Sequence, residues 1–131
     1  MNGFLLDTHI WLWHLTSIAR LPKGLRTLID RGAERCWLSP ISVWELGLLV
    51  ERGRIRLDAP LRAWVNDAFA RLPLREAAMT MDVAIRAHEI ELAARDPGDR
   101  ILAATALEFD LRLLTVDPNL TAADWLPTRS K

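Results

Sequence analysis

At 131 residues, half of them hydrophobic, the chain has room for one compact domain and too little for two. Seventeen basic residues balance seventeen acidic ones, which excludes overall electrostatic steering towards a polyanion; a nucleic-acid partner has to meet a local patch. No apolar run approaches the roughly 20 residues that span a bilayer, and the N-terminus shows neither a basic leader nor a small-residue cleavage site, so a cytoplasmic protein with no membrane association is expected.

Residues 3 to 7 read as a buried strand, and the apolar spacing from Thr8 to Leu15 fits a helix packed on a sheet. Pro22 opens a second helix to about Arg31, with Leu25, Leu28 and Ile29 on one face. Cys36 to Leu38 forms strand two, and Cys36, the single cysteine, is expected to be a buried strand residue. Ser39 followed by Pro40 starts a helix that Gly53 stops. Asp58 and Pro60 open a helix to about Arg71, Leu72 to Ala77 is expected as strand three, and Thr80 caps a helix to about Leu92. Asp96 and Pro97 start a helix to about Glu108, nearly uncharged and therefore buried, and Arg112 to Val116 supplies strand four. From about residue 121 the tail is short, with an undefined last strand. Strands alternating with helices predict an α/β fold around a mostly parallel sheet of four or five strands.

Four acids stand where the chain changes character. Asp7 and Asp117 end strands, and ligands of such sheets bind beyond the carboxyl ends of the strands. Asp99 falls in the first turn of its helix, where the backbone dipole favours negative charge. Glu45 projects from an apolar stripe with Ile41, Leu48 and Leu49 as helical neighbours, where an unpaired carboxylate is costly. Gathered together, carboxylates repel by about 4 kcal/mol per pair at 4 Å and an effective dielectric of 20, so they take up protons or a cation. Oxygen ligands without a cysteine suit Mg²⁺ or Mn²⁺, ions that handle phosphate oxygens. Each acid alone has a local explanation as a helix start or a turn. Their joint placement is what points to a site.

Other residues say less. His9 and His14 lie about 140° apart around a helix, which argues against a shared zinc, and His88 is expected on the surface. Trp11, Trp44 and Trp64 fall on apolar helical faces, suited to core packing or a subunit interface. Arg52, Arg54 and Arg56 would line one side of an extended segment, as a phosphate track or a contact for an acidic partner, or as a solvated loop.

Asp7-Thr8-His9 after a leading strand, Ser42-Val43-Trp44-Glu45 on a helix, Asp96-Pro97-Gly98-Asp99-Arg100 before a buried helix and Leu114-Thr115-Val116-Asp117 after a late strand together resemble a PIN domain, and more narrowly the VapC-type toxins. The similarity runs from Phe4 to Leu120. It implies a single α/β/α sandwich over 1–131, acting as a Mg²⁺- or Mn²⁺-dependent endoribonuclease, the toxin of a toxin-antitoxin pair, with RNA as substrate, an antitoxin partner and a homodimeric state. It also implies that Asp7, Glu45, Asp99 and Asp117 are the metal-binding and catalytic acids, with Thr8, Asp96 and Thr115 in support. Ala94, Arg95 and Gly98 depart from a pattern in which a histidine often precedes the Asp-Pro pair and an aromatic follows it. A haloacid-dehalogenase-like phosphatase would need aspartate where His9 stands, and a receiver domain would need a lysine that neither Lys23 nor Lys131 supplies. A non-catalytic PIN-like module, or a metal-dependent nuclease outside a toxin-antitoxin pair, is the alternative.

Overall fold

The computed structural model describes residues 2–93 and 95–131, so that Ala94, one of the three departures, lies outside the described residues. In chain order the elements are β1 (Gly3–Leu6), α1 (Thr8–Thr16), α2 (Lys23–Arg31), β2 (Cys36–Leu38), α3 (Pro40–Glu51), α4 (Leu61–Arg71), β3 (Arg75–Glu76), α5 (Met81–Glu89), α6 (Pro97–Glu108), β4 (Leu111–Leu114), α7 (Pro118–Thr121) and β5 (Thr128–Arg129). One sheet of order β3-β2-β1-β4-β5 contains all five strands, every neighbouring pair parallel. The chain builds outward from β1 through β2 to β3, then returns to the other side of β1 with β4. The order therefore reverses at β1/β4, where Asp7 and Thr115 leave the sheet.

Strand alternation sorts the core into two layers. Leu6 and Leu114 face Ile10, Trp11, Leu25, Leu46 and Trp64 from α1 to α4. Leu5, Leu111 and Leu113 face the other way, onto Leu102, Ala103 and Ala106 of α6 and Leu120 of α7. Both faces of the sheet are covered, which is why its central strands read as continuous apolar runs. Trp11 and Trp64 meet edge to face, with centroids 5.9 Å apart. Trp44, read as packing in the core or at a subunit interface, is 60% exposed and so does not belong to the core. It lines a groove of about 820 Å³ between α3 and α4, so α3 is apolar over more of its circumference than the core covers. No helix among the described residues is long and apolar enough to cross a membrane.

Three boundaries differ from expectation. Strand three shrinks from 72–77 to two residues because it is an edge strand paired only to β2, with Pro73 unable to donate to a ladder. Helix α5 stops at Glu89, short of Leu92, where the Arg100 guanidinium takes one carbonyl of its last turn and two beyond it: Nε donates to Ala87 O, Nη2 to Ile90 O and Nη1 to Leu92 O at 2.9, 2.9 and 3.2 Å. Strand four ends at Leu114, before the predicted Val116. The tail supplies both a short helix, α7, and the last strand, β5.

Candidate metal centre

The β1/β4 edge is the mouth around which the acids collect. Asp7 occupies the N-cap of α1 yet makes no capping hydrogen bond with its side chain. Its Oδ2 instead accepts from the Thr115 hydroxyl at 2.6 Å, and only 8% of the residue is exposed. Thr115, fully buried, accepts in turn from the Asp117 backbone N–H at 3.0 Å, which orients its own proton towards Asp7. Asp117 caps α7, its Oδ1 accepting from Asn119 N–H at 2.9 Å, and so keeps one oxygen clear of the helix. Asp96 caps α6 through Gly98 N–H at 2.8 Å and sets the start of the helix whose first turn carries Asp99.

Glu45 reaches the same mouth from α3. Its Oε1 accepts from the Thr8 hydroxyl at 2.5 Å. Thr8 has one proton to give, so at its 2.8 Å contact with Ser42 it accepts, making Ser42 to Thr8 to Glu45 a directed relay. On the other side Glu45 lies against Gly98, where a Cβ would overlap Oε2. The departure at position 98 thus has a physical consequence: absence of a side chain makes room for this carboxylate at the start of α6. Arg95, the remaining departure, is exposed in the loop before Asp96.

Crowding shows in the proton affinities. Burial pushes the Asp7 carboxyl up, opposed by the Thr115 hydroxyl, by His9 and by the Thr8 N–H, while Asp117 adds to the rise. Burial also raises Glu45, opposed by the Thr8 hydroxyl and His9, with Asp96 and Asp7 adding to it. For Asp99, 9% exposed, the leading causes all act upwards: burial, then repulsion from Asp96, Asp117, Asp7 and Glu45, push it up to about 7. The four acids and Asp96 therefore share one electrostatic environment that disfavours their joint ionisation.

Among the described residues, no three acidic, histidine or cysteine side chains as they stand form a group able to hold an ion. The arrangement is a ring of carboxylates around a mouth and not a finished cage. Its donors fit a hard divalent cation all the same: they are carboxylate oxygens, their charge calls for a counterion, and Thr115 and Thr8 each secure one oxygen of Asp7 and Glu45. Softer ligands lie elsewhere. Cys36 is in the core with its thiol pushed up to about 11 by burial, and His14 pairs with Asp30 at 2.7 Å.

The expected row of arginines is broken. Arg52 is the C-cap of α3, and Gly53, at φ +70°, turns the chain so that Arg54 and Arg56 go on to line a separate cleft with His9. Sequence reasoning overlooked the relay role of Ser42, although its i, i+3 spacing from Glu45 on α3 was a usable signal.

The chain matches the family model of the PIN domain over residues 4–126. It is 32% identical over 121 residues, covering 92% of this chain and 91% of the relative, to Ribonuclease VapC22 of Mycobacterium tuberculosis. Among solved structures it superimposes on DNA-bound VapBC from Salmonella typhimurium with a TM-score of 0.73, 22% identity and 98% of each chain covered. On FitAcB from Neisseria gonorrhoeae the TM-score is 0.66 at 25% identity, covering 97% of this chain and 96% of that one.

Proposed function

The chain belongs to the PIN-domain family, and on that premise we propose that it is an endoribonuclease that holds Mg²⁺ or Mn²⁺ at Asp7, Glu45, Asp99 and Asp117. The observation that carries the reading is the convergence of these carboxylates at the β1/β4 edge, with Asp99 pushed up to about 7 by burial and by its four acidic neighbours. The ribonuclease named among the relatives supports the substrate class.

In this reading Asp7 and Asp99 are direct ligands, and Glu45 and Asp117 bind directly or through water. Thr115 holds Asp7 Oδ2 and leaves Oδ1 for the ion, while Ser42 and Thr8 fix the direction of Glu45. The Asp96 cap anchors the first turn of α6 and so positions Asp99. When bound, the cation supplies a water of lowered pKa and neutralises charge that develops on the scissile phosphate. Loading the site releases the proton that Asp99 retains near neutral pH.

The biological role that goes with this chemistry is the toxin of a toxin-antitoxin pair, active in the cytoplasm, blocked by a cognate antitoxin and working as a homodimer; the order of motifs that resembles VapC-type toxins supports it. A mixed RNA pool incubated with the purified protein and Mn²⁺ tests the activity, with EDTA and Asp7→Asn as controls. Cutting that requires both the ion and Asp7 supports the reading. Cutting that survives either control, or no cutting by folded protein free of antitoxin, contradicts it.

A further inference from the structure

Resting on the ribonuclease reading, we infer that the cleft of about 710 Å³ beside the acidic mouth is the track for a single-stranded stretch of RNA, with bases on one wall and phosphates on the other. His9 joins cleft to mouth: it lines the cleft and stands in the first turn of α1, two residues after Asp7 at the helix start. From His9 a row of planar groups leads away along α1. The His9 and Trp13 rings are 6.0 Å apart, and the Arg20 guanidinium sits 4.9 Å over the Trp13 ring. Aromatic and guanidinium planes serve unstacked bases, which a duplex hides.

The facing wall carries charge. Arg54 and Arg56 are exposed and have no ion-pair partner among the described residues, whereas Arg71 is held by Asp67 at 3.0 Å. Asp58 is the one acid in a described lining that holds four arginines, Arg20, Arg54, Arg56 and Arg71. The groove between α3 and α4 is the opposite, with Glu51 and Glu76 and no basic side chain among the described residues that line it, so a polyanion is directed to the α1 side. A strand whose scissile phosphate lies at the mouth would pass His9 and meet Arg54 and Arg56 within the cleft.

The test uses the full chain carrying Asp7→Asn to prevent cutting, and a labelled ten-nucleotide RNA of mixed sequence, single-stranded or annealed to its complement. Arg54→Ala with Arg56→Ala is expected to weaken single-strand binding about tenfold and to reduce the slope of log K against log salt by about 1.4, two phosphates at roughly 0.7 each. Trp13→Leu is expected to weaken it about fivefold with the slope unchanged, and the duplex to bind at least about tenfold more weakly than the single strand. Unchanged affinity and slope in the arginine variant overturn the inference, as does equal binding of the duplex. A ten-residue polyglutamate that outcompetes the RNA and depends on the same arginines assigns the cleft to an acidic protein segment instead. With Asp7 restored, normal cutting that ignores the arginine change sinks the track alone, while absence of any cutting sinks the ribonuclease reading and leaves the binding result to judge the cleft.

Discussion

Asp7 and Asp96 hold the same local position, the N-cap of a helix that starts at the acidic edge, and they do different work. Asp96 is exposed and caps α6 through Gly98 N–H; Asp7 is buried, leaves the α1 cap unmade and is held by Thr115 from another strand end. Asp117 falls between them in exposure and caps α7 through one oxygen, as Asp96 caps α6. A buried N-cap aspartate that forgoes its cap has lost the commonest reason for being there, so its charge is available for something else. The difference lies in tertiary surroundings, not in sequence pattern.

The largest effect that probes this contrast is on RNA cleavage. Asp7→Asn is expected to lower the rate at least about 100-fold, the scale on which even an outer partner's loss affects a metal site, with thermal stability at pH 7.5 unchanged or raised. A rate within threefold of the original would place Asp7 with the caps. Next is Gly98→Ala, whose Cβ displaces Glu45 Oε2; Mn²⁺ affinity by calorimetry should fall about tenfold while helix propensity raises the melting temperature slightly. Equal affinity would show that Glu45 need not lie against the α6 start.

Asp96→Ala removes a cap worth about 1 kcal/mol and should lower the melting temperature by several degrees, with Asp96→Asn restoring most of it. Asp7→Ala has no cap bond to lose; what it loses is the buried Thr115 hydrogen bond, so Asp7→Ala with Thr115→Val should recover stability where no second change near α6 relieves Asp96→Ala. The last is a pH effect. The folded-state pKa of Asp99 is raised to about 7 from 3.8, so the folded chain binds this proton more tightly than the unfolded one. Its contribution is present below about pH 4 and is lost as pH rises through about 7. Without added metal, Asp99→Asn should therefore match the parent near pH 4 and melt a few degrees higher at pH 7.5; a constant offset across that range would contradict the shift.

Much of this was legible beforehand because the sequence marks strand ends and helix starts locally. Ser39-Pro40, Thr80 and Asp96-Pro97 cap α3, α5 and α6 as read, and Asp7 and Asp117 do follow β1 and β4. What escaped depends on groups distant in the chain. Arg100 ends α5 early through carbonyls 8 to 13 residues away, and no pattern within α5 announces it. Trp44 sits on a stripe that looks like core but outlasts the surface packed against it. The value of Gly98 appears only when α3 brings Glu45 to it.

The most direct measurement is calorimetric titration of Mn²⁺ into the protein at pH 6.5 in two buffers of different ionisation enthalpy, for the parent, Asp7→Asn and Asp99→Asn. The prediction is one saturable site in the parent with net proton release, loss of release in Asp99→Asn, and affinity at least about tenfold weaker in both variants. Binding of equal strength in all three proteins, or none in the parent, would contradict a metal centre built from these carboxylates.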